Sequence, residues 1–259
     1  MDASDANAFL GAARPEDTLG APVAATRSTP VCLVTGVGPG TGTALVRRFA
    51  RGGFPVAMLS RNAERLGALA EEVPEATAFP CDVSDTTALA NAHARVKADL
   101  GAPGVVIHNA VGGGFGDFQQ IDPEMLRRNF EVNTMALLHL ARLVAGDMIA
   151  AGKGVILATG NTAAYRGKAS FAGFAPSKAA QRILIESIAR SVGPKGIHAA
   201  YLAIDAVIDL EWTRKALPDA PDDFFCQPDD IAEAAWQLAH QPRSAWTSEL
   251  VLRPFGETW

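Results

Sequence analysis

Eight consecutive residues, Thr35-Gly36-Val37-Gly38-Pro39-Gly40-Thr41-Gly42, contain four glycines. Glycine tolerates positive φ and lets the backbone come close to a ligand. A helix that begins just after such a run offers free N–H groups and the positive end of its dipole. Together these suit a pyrophosphate. A glycine cluster alone is weak support. This one lies between an apolar run, Val31 to Thr35, and a helical period from about Thr41 to Arg51, which is the setting a dinucleotide site needs. The plainer alternative is a tight glycine turn that holds nothing. The next apolar run ends at Ser60-Arg61. A site for NAD usually has Asp or Glu near this point for the ribose 2′-OH, and the first acid here is Glu64, already inside a helical period. Arg61 can instead pair with a 2′-phosphate and Ser60 can hydrogen-bond to it, so NADP(H) is favoured over NAD(H). The competing reading of Arg61 is a solvated cation at a helix start.

These groups need a scaffold, and the rest of the chain supplies a regular one. Strands are predicted at Val31–Thr35, Val56–Ser60, Ala76–Cys81, Val105–His108, Val155–Thr159, His198–Ile204 and Glu249–Leu252. Helices are predicted at Thr41–Arg51, Asn62–Glu72, Ser84–Leu100 with Ser84 as N-cap, Pro123–Ala150, Phe171–Val192 and Asp229–His240. The alternation predicts an α/β protein of the Rossmann type: a doubly wound parallel sheet of about seven strands with helices on both faces. Residues 30–259 read as one such domain, preceded by a polar extension, residues 1–29, rich in Ala, Asp, Pro and Thr. Leu210 to Gln227 breaks the rhythm and is expected over the carboxyl ends of the strands, where ligands bind in such sheets.

Composition narrows the function. The chain has 259 residues, 48% of them hydrophobic, which suits a sheet covered on both faces. A net charge of −5 disfavours nucleic acid or an anionic membrane as partner. The longest apolar stretches fall short of an uninterrupted membrane span, and the first residues lack the pattern of a secretory signal. Cys32, Cys81 and Cys226 are odd in number and without metal-ligand spacing, so reduced thiols in a cytoplasmic protein are expected, with no metal site.

From about Pro30 onward the sequence resembles the short-chain dehydrogenase/reductase family. Gly36, Gly40 and Gly42 follow its T-G-x-x-x-G-x-G spacing; Asp82-Val83 resembles its adenine contact; Asn109-Ala110 resembles its N-A-G turn, with Val111 for the last glycine. Asn133 resembles its active-site Asn, and Lys178 the Lys of its Y-x-x-x-K. The resemblance implies that Lys178 holds the nicotinamide ribose, that Asn133 supports a water in a proton relay, and that the backbone of Val207 and Ile208 meets the carboxamide. It also exposes departures. Phe174 occupies the position of the proton-donating Tyr, and Asn161, thirteen residues earlier, that of the Ser that polarises the substrate oxygen. Ile204-Asp205-Ala206 replaces a Pro-Gly, and the family's second basic position for NADP, before the middle glycine, holds Pro39.

An Asn amide can still donate to a carbonyl oxygen, but Phe cannot act as an acid, and a positioned acid supplies about 10²–10⁴ in rate. Tyr165 is the best substitute donor, against the alternative of a Tyr packed on its loop. Thr162 and Ser177 are poor acids, and His108 reads as a packed strand end. Gly112 to Gly116 is either a mobile lid or a linker. Phe115, Phe171 and Phe174 make either an apolar cleft wall or helix-face core, and Trp212 and Phe224-Phe225 either bind an apolar substrate or cap the fold. Two functions follow: an NADP(H)-dependent oxidoreductase of unknown small-molecule substrate with an altered acid site, or a non-catalytic dinucleotide-binding sensor. The resemblance further implies a homodimer or homotetramer.

Overall fold

The computed structural model describes residues 29–256, so the polar extension read at 1–29 lies, apart from its last residue, outside the described residues. In chain order come β1 (Val31–Thr35), α1 (Thr41–Arg51), β2 (Val56–Leu59), α2 (Ala63–Glu72), β3 (Ala76–Ala78), α3 (Thr86–Asp99) and β4 (Pro103–His108). Then follow α4 (Pro123–Phe130), a π-helical turn (Glu131–Met135), α5 (Ala136–Ala151), β5 (Gly154–Asn161), α6 (Ala175–Val192) and β6 (Ile197–Ile204). The chain continues through β7 (Val207–Ile208), α7 (Glu211–Ala216), β8 (Phe225–Cys226), α8 (Pro228–Ala239) and β9 (Glu249–Leu252).

Seven strands form one sheet in the order β3-β2-β1-β4-β5-β6-β9, and every pairing is parallel. The strands are nearly continuous apolar runs because both faces are covered. Along β1, Val31 and Leu33 face one core with Phe79, Leu89, Leu137, Leu140 and Ile156. Cys32 and Val34 face the other, with Leu45, Phe49, Met58, Leu202 and Ile231. Thus α3, α5 and α6 cover one face and α1, α2 and α8 the other. Connections from β1 run one way to β2 and β3, and from β4 the other way to β5, β6 and β9. A crevice opens where they diverge, at the carboxyl ends of β1 and β4.

Caps explain most helix starts. Asn62 accepts from Arg65 N at 2.8 Å, and Asp122 accepts from Glu124 N at 2.9 Å ahead of Pro123. For α3 the cap is Asp85 rather than Ser84: Asp85 accepts from Thr87 N and Ala88 N at 2.9 and 3.0 Å, while Ser84 gives its hydroxyl to Asp82. β3 ends at Ala78 instead of Cys81, and α6 begins at Ala175 instead of Phe171. Proline fits only the first turn of a helix, and Pro176 sits there.

From Pro123 to Ala151 the helical path is unbroken, 29 residues long, and a third of its most apolar stretch is buried; by length and hydropathy it is the one helix among the described residues that could span a membrane. Its buried side, including Leu137, Leu140, Val144 and Met148, packs into the sheet core. Phe49 ties α1 to its surroundings: its ring lies edge-on to Phe54 at 5.6 Å and to Trp236 at 5.2 Å. Phe49→Ala is expected to cost about 3–5 kcal/mol, read from the midpoint of urea unfolding at unchanged slope.

Candidate active site

A cleft of about 1330 Å³ occupies the crevice, larger than a common small-ligand pocket and sufficient for a dinucleotide together with a second molecule. The loop after β1 forms its floor. Gly36 has φ +70°, and a Cβ there would fall 2.4 Å from Ala110 Cα, so only glycine lets the two strand ends meet. Gly40 precedes α1 with no side-chain cap, and the first turn has no acid; Thr43 N donates to Gly38 O at 3.1 Å, which leaves the N–H groups ahead of it for a ligand. Two cleft-lining hydroxyls, Thr41 Oγ1 and Ser60 Oγ, are buried with no hydrogen-bond partner among the described residues. Orphaned buried hydroxyls are rare in a finished interior.

Thr35, Gly36, Asn109 and Ala110 hold the loop in place. Ala110 N donates to Thr35 Oγ1 at 3.3 Å, and Thr35 Oγ1 lies 3.1 Å from His108 Nδ1. His108 Nε2 lies 3.0 Å from Val132 O, a carbonyl in the π-helical turn. One assignment satisfies all three: Thr35 donates to Nδ1, and Nε2–H donates to Val132 O. Burial first, and the Lys178 ammonium second, push the His108 pKa down to about 4. His108 is therefore a neutral strut. Asn109 Nδ2 donates to Gly36 O at 3.0 Å, and its Oδ1 accepts from Thr159 Oγ1 at 2.9 Å.

At one end of the cleft stand Ser60, Arg61, Asn62, Arg65, Asp82 and Val83. Ser84 donates to Asp82 Oδ1 from its hydroxyl at 2.7 Å and its N–H at 3.0 Å; these bonds hold the carboxyl below its ordinary range. Arg65 is a residue the sequence reading missed. Its spacing of four from Arg61 across a helix start was the available signal.

At the other end are Asn161, Phe174 and Lys178. Lys178 Nζ donates to Gln181 Oε1 at 2.9 Å and to Thr159 O at 3.4 Å, both neutral oxygens. Burial pushes its pKa down to about 7. Asn161 Oδ1 accepts from Ala163 N at 3.1 Å, so the group it can offer a ligand is the Nδ2 donor. Phe174 is 6% exposed, with Lys178 Nζ 5.9 Å from its ring centre and Phe115 and Phe171 packed on it at 5.9 and 6.5 Å.

Three expected site residues, Tyr165, Asn133 and Val207, do not line the cleft. Tyr165 is not at the cleft: it lines a separate cavity of about 310 Å³ beside Arg166 and Phe171. Its hydroxyl donates to Glu249 Oε1 at 2.7 Å, Arg182 Nε holds the other carboxylate oxygen at 2.6 Å, and burial followed by Glu249 drives its pKa well up. A pinned, weakly acidic phenol in another cavity cannot serve this site. Asn133 is fully buried and does not line the cleft. It accepts from Gly112 N at 2.9 Å and donates both amide hydrogens, to Gly112 O and Ser177 Oγ, each at 2.9 Å. Both side-chain hydrogens are thereby used, and Asn133 ties the Gly112 loop to α6. Val207 pairs with Phe225 and leaves the cleft to Ile204, Ala206 and Ile208.

The Gly112–Gly116 segment is hydrogen-bonded at both ends. Asn133 fixes one end, and Gly116 N donates to Ser170 O at 2.7 Å at the other. A Cβ on Gly114 would fall 2.1 Å from Met125 Sδ. Leu210 and Trp212, from the irregular segment, complete the lining along with Val111, Arg127 and Arg128.

Residues 30–209 match the short chain dehydrogenase family. The chain is 30% identical over 236 residues to the 7alpha-hydroxysteroid dehydrogenase of Escherichia coli K12, covering 86% of this chain and 92% of that one. Among solved structures it is similar to an alcohol dehydrogenase from the archaeon Thermococcus sibiricus complexed with 5-hydroxy-NADP, with TM-score 0.80, 25% identity, and 89% and 98% of the two chains covered. It is also similar to a metagenomic short-chain oxidoreductase in complex with NADP, with TM-score 0.76, 28% identity, and 88% and 98% covered.

His108 gives a pH signature. Its folded pKa, about 4, is below the ordinary 6.5, so the unfolded chain binds the extra proton between those values. Its contribution to stability is intact above pH 6.5 and falls as pH drops toward 4. Denaturant unfolding across that window should show a shallower loss for His108→Asn than for the parent.

Proposed function

This chain belongs to the short-chain dehydrogenase family, and on that footing we propose that it is an NADP(H)-dependent oxidoreductase of a small molecule, working without the family's phenolic acid. The observation that carries the cofactor reading is the pair of partnerless buried hydroxyls, Thr41 Oγ1 and Ser60 Oγ, at two points of one cleft. The glycine loop from Gly36 to Gly42 and the start of α1 would hold the pyrophosphate, Asp82 and Val83 the adenine, and Lys178 the nicotinamide ribose. Ser60, Arg61 and Arg65 would take a 2′-phosphate through charge-assisted hydrogen bonds. Ile208 would offer its backbone to the carboxamide. When bound, the nicotinamide supplies or accepts a hydride. Asn161 Nδ2 polarises the substrate oxygen, Thr159 and Gln181 fix the Lys178 ammonium, and Phe174 excludes water from the reacting carbon.

The sequestration of Tyr165 favours a second reading, a dinucleotide-binding sensor with no turnover. Under either reading the apolar helix from Pro123 to Ala151, a third of whose most apolar stretch is buried, supports a homodimer or homotetramer paired through its uncovered face, and unpaired Cys32, Cys81 and Cys226 suit the cytoplasm. A net charge of −5 supports neither nucleic acid nor membrane as partner.

Fluorescence titration should show NADPH binding more tightly than NADH. Arg61→Ala and Arg65→Ala should each weaken NADPH about tenfold and leave NADH unchanged. Equal affinities would overturn the cofactor preference. Phe174→Tyr combined with Asn161→Ser should raise reduction of a saturated ketone by roughly 10²–10⁴. NADPH binding without turnover on any carbonyl probe would favour the sensor.

A further inference from the structure

We propose that the substrate is a planar conjugated carbonyl compound, an enone or quinone, whose hydride adduct is a delocalised oxyanion that accepts a hydrogen bond from Asn161 and lies in the field of the Lys178 charge, against an aromatic wall. This deepens the oxidoreductase reading and rests on it.

The first observation is the lack of a hydroxyl acid at the reacting end. Phe174 has no proton, Tyr165 is committed to Glu249 in another cavity, and Ser177 gives its hydroxyl to Phe174 O at 2.8 Å. An isolated ketone that gains hydride becomes an alkoxide, about as basic as hydroxide, whose parent water has pKa ~15.7. A conjugated acceptor becomes an enolate or phenolate, nearer the phenol value of ~10. That difference is some five powers of ten in basicity, and the fraction of it expressed in the transition state is comparable with the ~10²–10⁴ that a positioned acid contributes. A site without the acid therefore still serves a conjugated acceptor.

The second observation is what stands in place of the acid. Lys178 Nζ has two neutral partners, Gln181 Oε1 and Thr159 O, and no carboxylate among them. The carboxylates lining the cleft, Asp82 and Glu131, are not bonded to it, and His108, the titratable group facing it from β4, is neutral. An ammonium so placed lacks a counter-ion, and a bound oxyanion supplies one. Burial has lowered its pKa to about 7, and the anion would restore its charge.

The third observation is shape. Phe174, itself 6% exposed, lines the cleft, with Phe115 and Phe171 packed tilted or edge-on against it. Trp212 and Val111 also line the cleft and are 67% and 61% exposed. Side chains of this size left open around one cleft mark a surface for a flat apolar ligand.

In the reaction the electrophilic carbon gains a hydride, with its electron pair, from reduced nicotinamide. The displaced π pair moves through the conjugated system onto the oxygen beside Lys178 and Asn161. One proton from water completes the reduced product, and the dinucleotide leaves oxidised.

The test uses the full chain with its dinucleotide. Menadione and 1,4-naphthoquinone should be reduced with kcat/KM at least a hundredfold above 2-decalone, a saturated ketone of similar size. A binding readout independent of turnover uses 2-naphthol with NADP⁺ present. Its naphtholate absorbance should appear about one pH unit below the midpoint in free solution, a tenfold shift that Lys178→Met abolishes. Trp212→Ala, at an exposed position, should weaken 2-naphthol binding several-fold without loss of fold. Reduction of 2-decalone as fast as the quinones, or an unshifted naphthol midpoint, would overturn the proposal. NADPH titration, run separately, decides whether the oxidoreductase reading itself survives.

Discussion

A line of buried hydrogen bonds holds the site together: Ala110 N to Thr35 Oγ1, Thr35 to His108, His108 to Val132 O. It joins the carboxyl ends of β1 and β4, the two strands between which the chain changes direction, and anchors them to the long helix. Its geometry depends on two backbone irregularities. Gly36 must take positive φ so that it can touch Ala110, and the carbonyl that receives His108 lies in the π-helical turn. A neutral imidazole is required throughout, since a protonated His108 could not accept from Thr35.

The fold was largely legible because its strands are buried on both faces. Apolar runs such as Val31–Thr35 and His198–Ile204 leave little room for another reading, and the glycine run falls where the sheet divides. Local competition hid the boundaries. Ser84 had the right type for a cap but turned to Asp82, leaving Asp85 to do it. Phe171 to Phe174 carry helical periodicity, yet Phe171 bridges to Gly116 and the helix waits for Pro176. That proline was a cue in plain sight.

The candidate site divides differently. The end with Ser60, Arg61 and Asp82 could be read from short-range spacing. The roles of Tyr165 and Asn133 could not. Tyr165 is decided by Glu249, 84 positions away, and Asn133 by the backbone of Gly112. A side chain's chemistry can be inferred from its type, but whether that chemistry is already spent depends on tertiary partners. Trp212 and Leu210, in a segment without periodicity, became wall residues only through the turn that carries them back over the sheet.

The glycine-rich segment after β4 has a consequence for how this cleft can diversify. A Cβ on Gly114 would press on the Met125 side chain, and Asn133 ties the backbone at Gly112. Variation therefore comes most readily from side chains standing on the cleft rim, Val111 on this segment and Leu210 and Trp212 opposite. A segment hydrogen-bonded at both ends has less freedom to lose when a ligand arrives. Selectivity would then be retuned by exchanging a few of these side chains, with the sheet and the hydrogen-bonded strut beneath left undisturbed.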